Sequence, residues 1–252
     1  MWARASTPRE SQARFDALGL QGGTSFDNAG NPMNEQDARQ RPIYRPEVFE
    51  VSSIADAKRV IVTPEPGTTT QERWAKETPF LVEDCGKRLG IGPETCVLDY
   101  GCGIGRVAKG LIEQFGCRVV GVDFSPSMRL LAPEYVLSER FTVWSMAVLD
   151  QMIVKGFRAD VAICLWVIQH ALDPNEVIRR IAGALRPGAL LYALNSHRCV
   201  PTDRGWANDG FDVPNGLRAV FREESNYRLP ESVSTSELAA VSTIQVLRRA
   251  AD

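Results

Sequence analysis

The sequence predicts an α/β fold on a doubly wound, mostly parallel sheet, and three observations predict it. An apolar strand pattern, Val97-Leu98-Asp99-Tyr100, runs into the glycine-rich turn Gly101-Cys102-Gly103-Ile104-Gly105, which opens a helix. From Cys96 to Asn195 strand-like and helix-like stretches alternate, as parallel strands joined by crossovers require. A second apolar strand ends in Asp123, about 20 residues beyond the turn, where a doubly wound fold holds ribose hydroxyls.

Residues 1–66 read as an N-terminal arm. Gly22-Gly23, Asn28, Asn34, Pro42, Pro46, Pro64 and Pro66 make it polar and turn-rich, and residues 58–63 (KRVIVT) read as one short strand. The arm reads either as a partly ordered extension or as a lid or oligomer contact, as in a homodimer. Residues 67–252 form the second unit. Thr69 and Glu72 make a capping-box pattern that starts a short helix carrying Trp74. Thr78 and Pro79 then restart a helix whose inner face is Leu81, Val82, Cys85 and Leu89, and Gly90 closes it. The next helix repeats Val107, Ala108, Leu111, Ile112 and Phe115 at three- and four-residue steps.

Strands are expected at 96–100, 118–123, 140–144, 160–166 and 189–195. Ser125-Pro126 caps one crossover helix. Asp173-Pro174-Asn175-Glu176 starts another, with Val177, Ile178, Ile181, Ala182 and Leu185 facing inward until Pro187-Gly188 stops it. Beyond Ser196 the pattern weakens: a helix at 234–240 and a strand at 243–248 are expected, with no evident partner strand between Val213 and Leu229.

Composition narrows the function. The 252 residues carry 29 Lys and Arg against 31 Asp and Glu, for a net charge of -2. With no run of like charge, nothing favours nucleic acid or an anionic membrane as a partner. The longest apolar run, 161–168, is too short to span a bilayer, and residues 1–12 lack an apolar signal core, so a soluble, cytoplasmic protein is expected. Six cysteines without a C-x-x-C pair read as reduced, and two histidines exclude a histidine-rich metal site, so no metal is expected.

The turn selects the ligand. Dinucleotide enzymes use G-x-G-x-x-G with a pyrophosphate on the helix N-terminus. Here the glycines fall as G-x-G-x-G with Asp99 just ahead; its carboxylate repels a pyrophosphate but suits a ligand carrying an ammonium and a sulfonium. The run Asp99-x-Gly101-x-Gly103-x-Gly105 resembles the first motif of class I S-adenosylmethionine-dependent methyltransferases. Gly121-Val122-Asp123-Phe124-Ser125 resembles the second. The stretch from Asp160 to His170 is similar to that family's fourth strand and following loop, and Leu185-Arg186-Pro187-Gly188 to its turn before the fifth strand.

This resemblance, over roughly residues 70–196, implies a Rossmann-like fold and S-adenosyl-L-methionine as cofactor, with S-adenosyl-L-homocysteine as product. It places Asp99 and Gly101 to Gly105 on the methionine moiety, Asp123 on the ribose and Phe124 against the adenine. Tyr100, Cys102, Met128, Ala147, Cys164 and Leu165 join them as cofactor-binding positions; Trp74 is a candidate for the methionine end or a core residue. One departure stands out. Where the family often has Gly-Asp-Ala, this chain has Ser145-Met146-Ala147, and Met146 can pack on an adenine but cannot accept its amino hydrogen bond.

Methyl transfer from a sulfonium needs mainly alignment; a base matters when the acceptor is a poorly ionised hydroxyl or a protonated amine. His170 and His197, after the fourth and fifth strands, are the candidate bases, each weighed against a packing role. The chain lacks a D/N-P-P-Y/F tetrapeptide and a Pro-Cys pair, which leaves a small-molecule acceptor methylated on oxygen or nitrogen. The segment 197–222, with Arg198, Arg204, Trp206, Asn208, Asp209, Phe211, Arg218 and Arg222, reads as the acceptor wall, its arginines favouring an anionic or sugar-like molecule. Two rival readings stay open: a non-catalytic cofactor-binding scaffold or partner subunit, and an NAD(P)-dependent oxidoreductase.

Overall fold

The computed structural model describes residues 42–251; the expected turns at Gly22-Gly23 and 28–34 lie outside the described residues, as does the polar stretch 1–12. The chain first forms a 3-10 turn (Pro46–Phe49) and helices α1 (Ile54–Ile61) and α2 (Thr70–Leu89). The expected alternation follows: β1 (Cys96–Tyr100), α3 (Arg106–Phe115), β2 (Arg118–Val122), α4 (Pro126–Val136), β3 (Phe141–Trp144), α5 (Met146–Val154), β4 (Ala159–Leu165), α6 (Pro174–Ala184) and β5 (Leu185–Asn195). A small hairpin, β6 (Val200–Thr202) and β7 (Gly205–Ala207), precedes α7 (Val213–Arg218), β8 (Phe221–Arg228), α8 (Ser236–Val241) and β9 (Thr243–Arg249).

Seven strands make one sheet in the order β3-β2-β1-β4-β5-β9-β8. Strands β1 to β5 pair in parallel, and β9 runs antiparallel between β5 and β8. The winding reverses between β1 and β4, which opens a crevice at their carboxyl ends. Asp99 sits there, level with Gly121 on β2 and Ile163 on β4.

Both faces of the sheet are covered. Leu98, Tyr100, Ala162, Cys164 and Leu191 pack on Ile178 and Ile181 of α6, while Val97, Val119, Ile163 and Tyr192 pack on Leu81, Cys85, Val107 and Leu111 of α2 and α3. Burying each such leucine or isoleucine stabilises the fold by roughly 1.5–3 kcal/mol. The caps fall as expected: Ser125 Oγ accepts the Met128 N–H at 3.1 Å, and Asp173 accepts that of Glu176 at 2.9 Å.

Four local expectations are corrected. The break at Thr78-Pro79 does not occur, and α2 runs through Pro79 unbroken. Proline deprives the Ala75 carbonyl of its partner, but Ala75 is exposed to water, and the Thr78 hydroxyl donates to the Trp74 carbonyl at 2.6 Å. Residues 58–63 are not a strand but the end of α1 and the turn after it. Ser53 caps that helix by accepting the Asp56 N–H, which outweighs the β-branched run Val60-Ile61-Val62. Helix α6 stops at Ala184, so Leu185 belongs to β5 and pairs with Ala159. The missing partner strand is β8; its sequence FREESNYR hides it because only Phe221 is buried and the half-buried face that follows, Glu223, Ser225 and Tyr227, is mostly polar.

Candidate active site

The glycine turn lies at the carboxyl end of β1 in left-handed backbone. Gly101 has φ 79°, and a Cβ there would meet Val167 Cγ2 at 2.1 Å; Gly103 has φ 54°, and a Cβ there would meet Ile61 Cδ1 at 2.7 Å. Only a residue without Cβ meets both demands. The turn is tied to β2 by Asp123, whose Oδ2 accepts the Gly103 N–H at 2.8 Å while Oδ1 accepts the Ser125 N–H at 2.9 Å. Two charged oxygens thus face two backbone donors, leaving lone pairs for further hydroxyls. Burial nevertheless raises the Asp123 carboxyl above its ordinary range, since desolvation outweighs those hydrogen bonds.

Behind the turn, Asp99, Gly101, Cys102, Arg106, Leu165 and Trp166 line a cavity of about 40 Å³, closed from above by Ile61. The Asp99 side chain has no hydrogen bond or ion pair among the described residues. Burial, and then repulsion from Asp123, push its carboxyl up to about 7. Arg106, which sequence reasoning passed over, brings the opposite charge. Its Nε donates to Thr78 Oγ1 at 2.8 Å, its Nη2 lies 3.3 Å from Glu77 Oε2, and its guanidinium sits 4.8 Å above the Trp74 ring. Burial pulls it down to about 10, so it stays cationic at neutral pH. Glu77 is shared with Arg73 at 2.8 Å, a buried network that fixes the guanidinium in place. One cavity therefore offers an unpaired carboxylate and an anchored guanidinium, the complement of an α-amino acid zwitterion.

The remaining expected cofactor positions separate. Phe124 is 41% exposed beside Asp123, and the Met128 sulfur approaches Gly103 from beneath the turn. Met146 is the first residue of α5, half-buried against the core, and Ala147 is exposed. Tyr100 and Cys164 point into the core on the opposite face of the sheet, Tyr100 receiving a hydrogen bond from Arg180 at 3.3 Å. Trp74 is 8% exposed, packed among Val51, Ala57, Val62, Ile104 and Met128 while it supports Arg106. Trp166 has φ 61°, a strained conformation for a bulky residue, and lines the cavity beside Asp99. Its N–H donates to the Leu194 carbonyl at 2.7 Å. No periodicity in the sequence signals that outlier.

The two histidines have different settings. His170 Nδ1 is 2.7 Å from the Cys199 carbonyl, which can only accept, so Nδ1 carries the proton and Nε2 is the acceptor. Gln169 donates its amide to that Nε2 at 3.1 Å and accepts the Ser196 N–H on its own oxygen at 2.6 Å. Burial lowers His170 to about 4, so it is neutral, and both ring nitrogens are engaged. His197 is exposed. It joins Asn195, Ser196, Asn208, Asp212, Thr243 and Gln245 around a second cavity of about 470 Å³ beyond the end of β5. The expected arginine wall is largely neutralised: Arg198 holds Asp209 through bonds of 2.8 and 2.6 Å, Arg218 holds Glu223 at 3.1 Å, and Arg222 holds Glu224 at 2.6 Å.

A strap from 43 to 51 runs between the β6–β7 hairpin and the start of α4. At one end Arg45 N–H donates to the Pro201 carbonyl at 3.0 Å, and at the other Val51 N–H donates to Ser127 Oγ at 2.9 Å. In between, Phe49 meets Phe124 and Trp206 edge-on and His170 at a tilt, with ring centroids 5.7, 6.2 and 5.5 Å apart. Helix α1 then lays Ile61 on the glycine turn.

Comparisons with known proteins show the family and the fold. The methyltransferase-domain family matches residues 68–230. A ubiquinone biosynthesis O-methyltransferase of Methylobacterium sp. (strain 4-46) is 27% identical over 113 residues, 43% of this chain and 45% of the relative. An N-demethylindolmycin N-methyltransferase of Streptomyces griseus is 35% identical over 106 residues, 40% and 44% of the two chains. The chain thus matches less than half the length of these curated relatives. Among solved structures, a putative sarcosine dimethylglycine methyltransferase from Galdieria sulphuraria aligns over 96% of this chain and 98% of its own, with TM-score 0.56 and 12% identity. The N-methyltransferase NodS from Bradyrhizobium japonicum WM9, in complex with S-adenosyl-L-homocysteine, aligns over 71% and 87% with TM-score 0.52 and 14% identity. The chain belongs to the methyltransferase-domain family and has the class I fold. The cofactor expected from the sequence is S-adenosylmethionine. The residues fit that molecule: the unpaired Asp99 and anchored Arg106 are complementary to an α-amino acid zwitterion, and Asp123 keeps lone pairs for hydroxyls. Among the described residues no helix is long and apolar enough to cross a membrane.

Proposed function

We propose that this chain transfers the methyl group of S-adenosylmethionine to a small-molecule acceptor, on oxygen or nitrogen, by in-line displacement. The observation that carries the reading is the pairing of Asp99 and Arg106 in one cavity behind the glycine turn. Bound there, the cofactor supplies a methyl already activated by a sulfonium. Asp99 takes the ammonium and Arg106 the carboxylate, while Asp123 receives the ribose hydroxyls on the lone pairs that Gly103 and Ser125 leave open. Phe124 covers one face of the adenine, with Met128 and Met146 as apolar neighbours; without an acid at Met146, adenine is held by packing rather than by its amino group.

The strap and α1 form the lid, resting Phe49 and Ile61 over the cofactor and excluding water, so that alignment supplies the acceleration. The described part of the arm, residues 42–66, is assigned to this closing role in preference to an oligomer contact. His197, exposed at the second cavity, is the histidine placed to take a proton from an acceptor that needs one. A cytoplasmic location suits the free thiols at all six cysteines.

The test is calorimetric titration of the purified chain with S-adenosylhomocysteine and with 5′-methylthioadenosine, which lacks the amino acid end. Tighter binding of the first, lost in Arg106→Gln without loss of the second, supports the reading. Equal binding of the two by the wild type contradicts it.

A further inference from the structure

The second cavity contains a feature that the fold does not explain. Asn195, the last residue of β5, is only 4% exposed, and neither its amide nitrogen nor its carbonyl oxygen has a hydrogen-bond partner. It lies in the lining of the roughly 470 Å³ space with Ser196, His197, Asn208, Thr243 and Gln245. Buried carboxamides are rarely left unmade, because both halves lose water without gaining a partner. Its neighbours are already committed. Gln245 donates to Glu223 at 2.6 Å, and Gln169, which could have reached across, is held between Ser196 and His170. Asn195 is left with a donor and an acceptor side by side.

The charge balance of the wall narrows what can answer it. Two guanidiniums line the cavity, Arg198 and Arg228. Asp209 holds the first through two hydrogen bonds, the second donates to the Ala240 carbonyl, and Asp212 also stands in the lining. Two carboxylates thus stand against two guanidiniums, and the wall has no formal excess of positive charge to favour a carboxylate or phosphate. The volume lies in the range of pockets that enclose a metabolite-sized molecule. Strand β5 is adjacent to β4, whose end lines the cofactor cavity through Leu165, so the two cavities lie at the ends of neighbouring strands.

We infer that this cavity is the acceptor subsite and that Asn195 selects a neutral molecule presenting a donor and an acceptor on one edge, as a carboxamide or lactam does. The inference rests on the methyltransferase reading and replaces the anionic acceptor expected from the arginines. A carboxamide edge pairs with Asn195 through two antiparallel hydrogen bonds and satisfies both of its orphan atoms; a carboxylate offers two acceptors and leaves the Asn195 oxygen opposed to an anion.

The experiment uses the matched probes benzamide and benzoate, titrated by ligand-detected NMR into the full chain with and without saturating S-adenosylhomocysteine. Benzamide is expected to bind at least tenfold more tightly than benzoate. Asn195→Leu is expected to lose that preference while S-adenosylhomocysteine affinity stays unchanged, which also reports that the variant is folded. Asn195→Asp, with acceptors only, is expected to weaken benzamide by a similar factor. Equal binding of the two probes, binding of neither, or benzamide binding unchanged in a folded Asn195→Leu overturns the inference. If S-adenosylhomocysteine binds and the benzamide preference is missing, the subsite fails alone; if S-adenosylhomocysteine does not bind, the methyltransferase reading fails, and the comparison in its absence still decides the subsite.

Discussion

The Asp123 carboxylate accepts the Gly103 amide at 2.8 Å and so fastens the glycine turn to the end of the neighbouring strand. The contact is made within the chain itself, so the protein supplies the shape of the turn. Asp123→Ala is therefore expected to release the Gly103 and Ser125 amides. Hydrogen exchange at those two positions should accelerate at least tenfold, while protection in the core strands stays near the wild-type level.

Asp99 is half-ionised near neutrality because its carboxyl is pushed up to about 7. An ammonium needs the ionised form. Affinity for S-adenosylhomocysteine is expected to rise with pH and level off above about 7, losing close to tenfold per unit below it. Calorimetry from pH 5.5 to 8.5 measures this, and Asp99→Asn should flatten the profile at the weaker affinity.

Asp99 and His170 act on stability with opposite signs. The folded state keeps a proton on Asp99 from about pH 4 to 7, so this group's contribution falls as pH rises. His170, lowered to about 4 from an unfolded value near 6.5, sheds its proton early, so its contribution rises with pH across about 4 to 6.5. The two slopes, each at most about 1.4 kcal/mol per unit, oppose each other. Asp99→Asn should raise stability at pH 7 by up to about 4 kcal/mol and expose the rising slope. His170→Asn should expose the falling one. Urea denaturation at several pH values separates them.

Phe49 joins three elements through its ring contacts. Phe49→Ala is expected to lose about 1–3 kcal/mol from those edge contacts and the burial behind them. If the strap is a lid, the dissociation rate of S-adenosylhomocysteine rises severalfold in stopped flow, with faster hydrogen exchange at Arg45 and Val51. An unchanged rate contradicts the lid.

Residues whose roles are local were legible in the sequence. The glycines announce left-handed backbone, Asp123 follows its strand, and Ser125 and Asp173 cap their helices as written. Tertiary context hid the rest. Pro79 looks like a helix start because its cost is local, whereas the buried faces of Trp74, Glu77 and Leu81 that carry α2 through it are not. Strand β8 escaped notice because Glu223, Glu224 and Asn226 serve ion pairs and hydrogen bonds at the sheet edge instead of a core. Arg106 read as an ordinary helix residue, since its importance depends on Glu77 and Thr78, 29 and 28 positions away. Asn195 gave no signal, because an unpaired carboxamide is a property of surroundings and not of sequence.

The central claim is that the cavity behind the glycine turn receives the amino acid end of S-adenosylmethionine. Its most direct test is calorimetric titration of the wild type with S-adenosylhomocysteine, with NAD(H) in parallel, at pH 8. The account expects micromolar binding of S-adenosylhomocysteine alone, weakened at least a hundredfold by Asp99→Asn combined with Arg106→Gln in a variant that stays folded. Binding of NAD(H) in its place, or S-adenosylhomocysteine binding untouched by the double substitution, would contradict it.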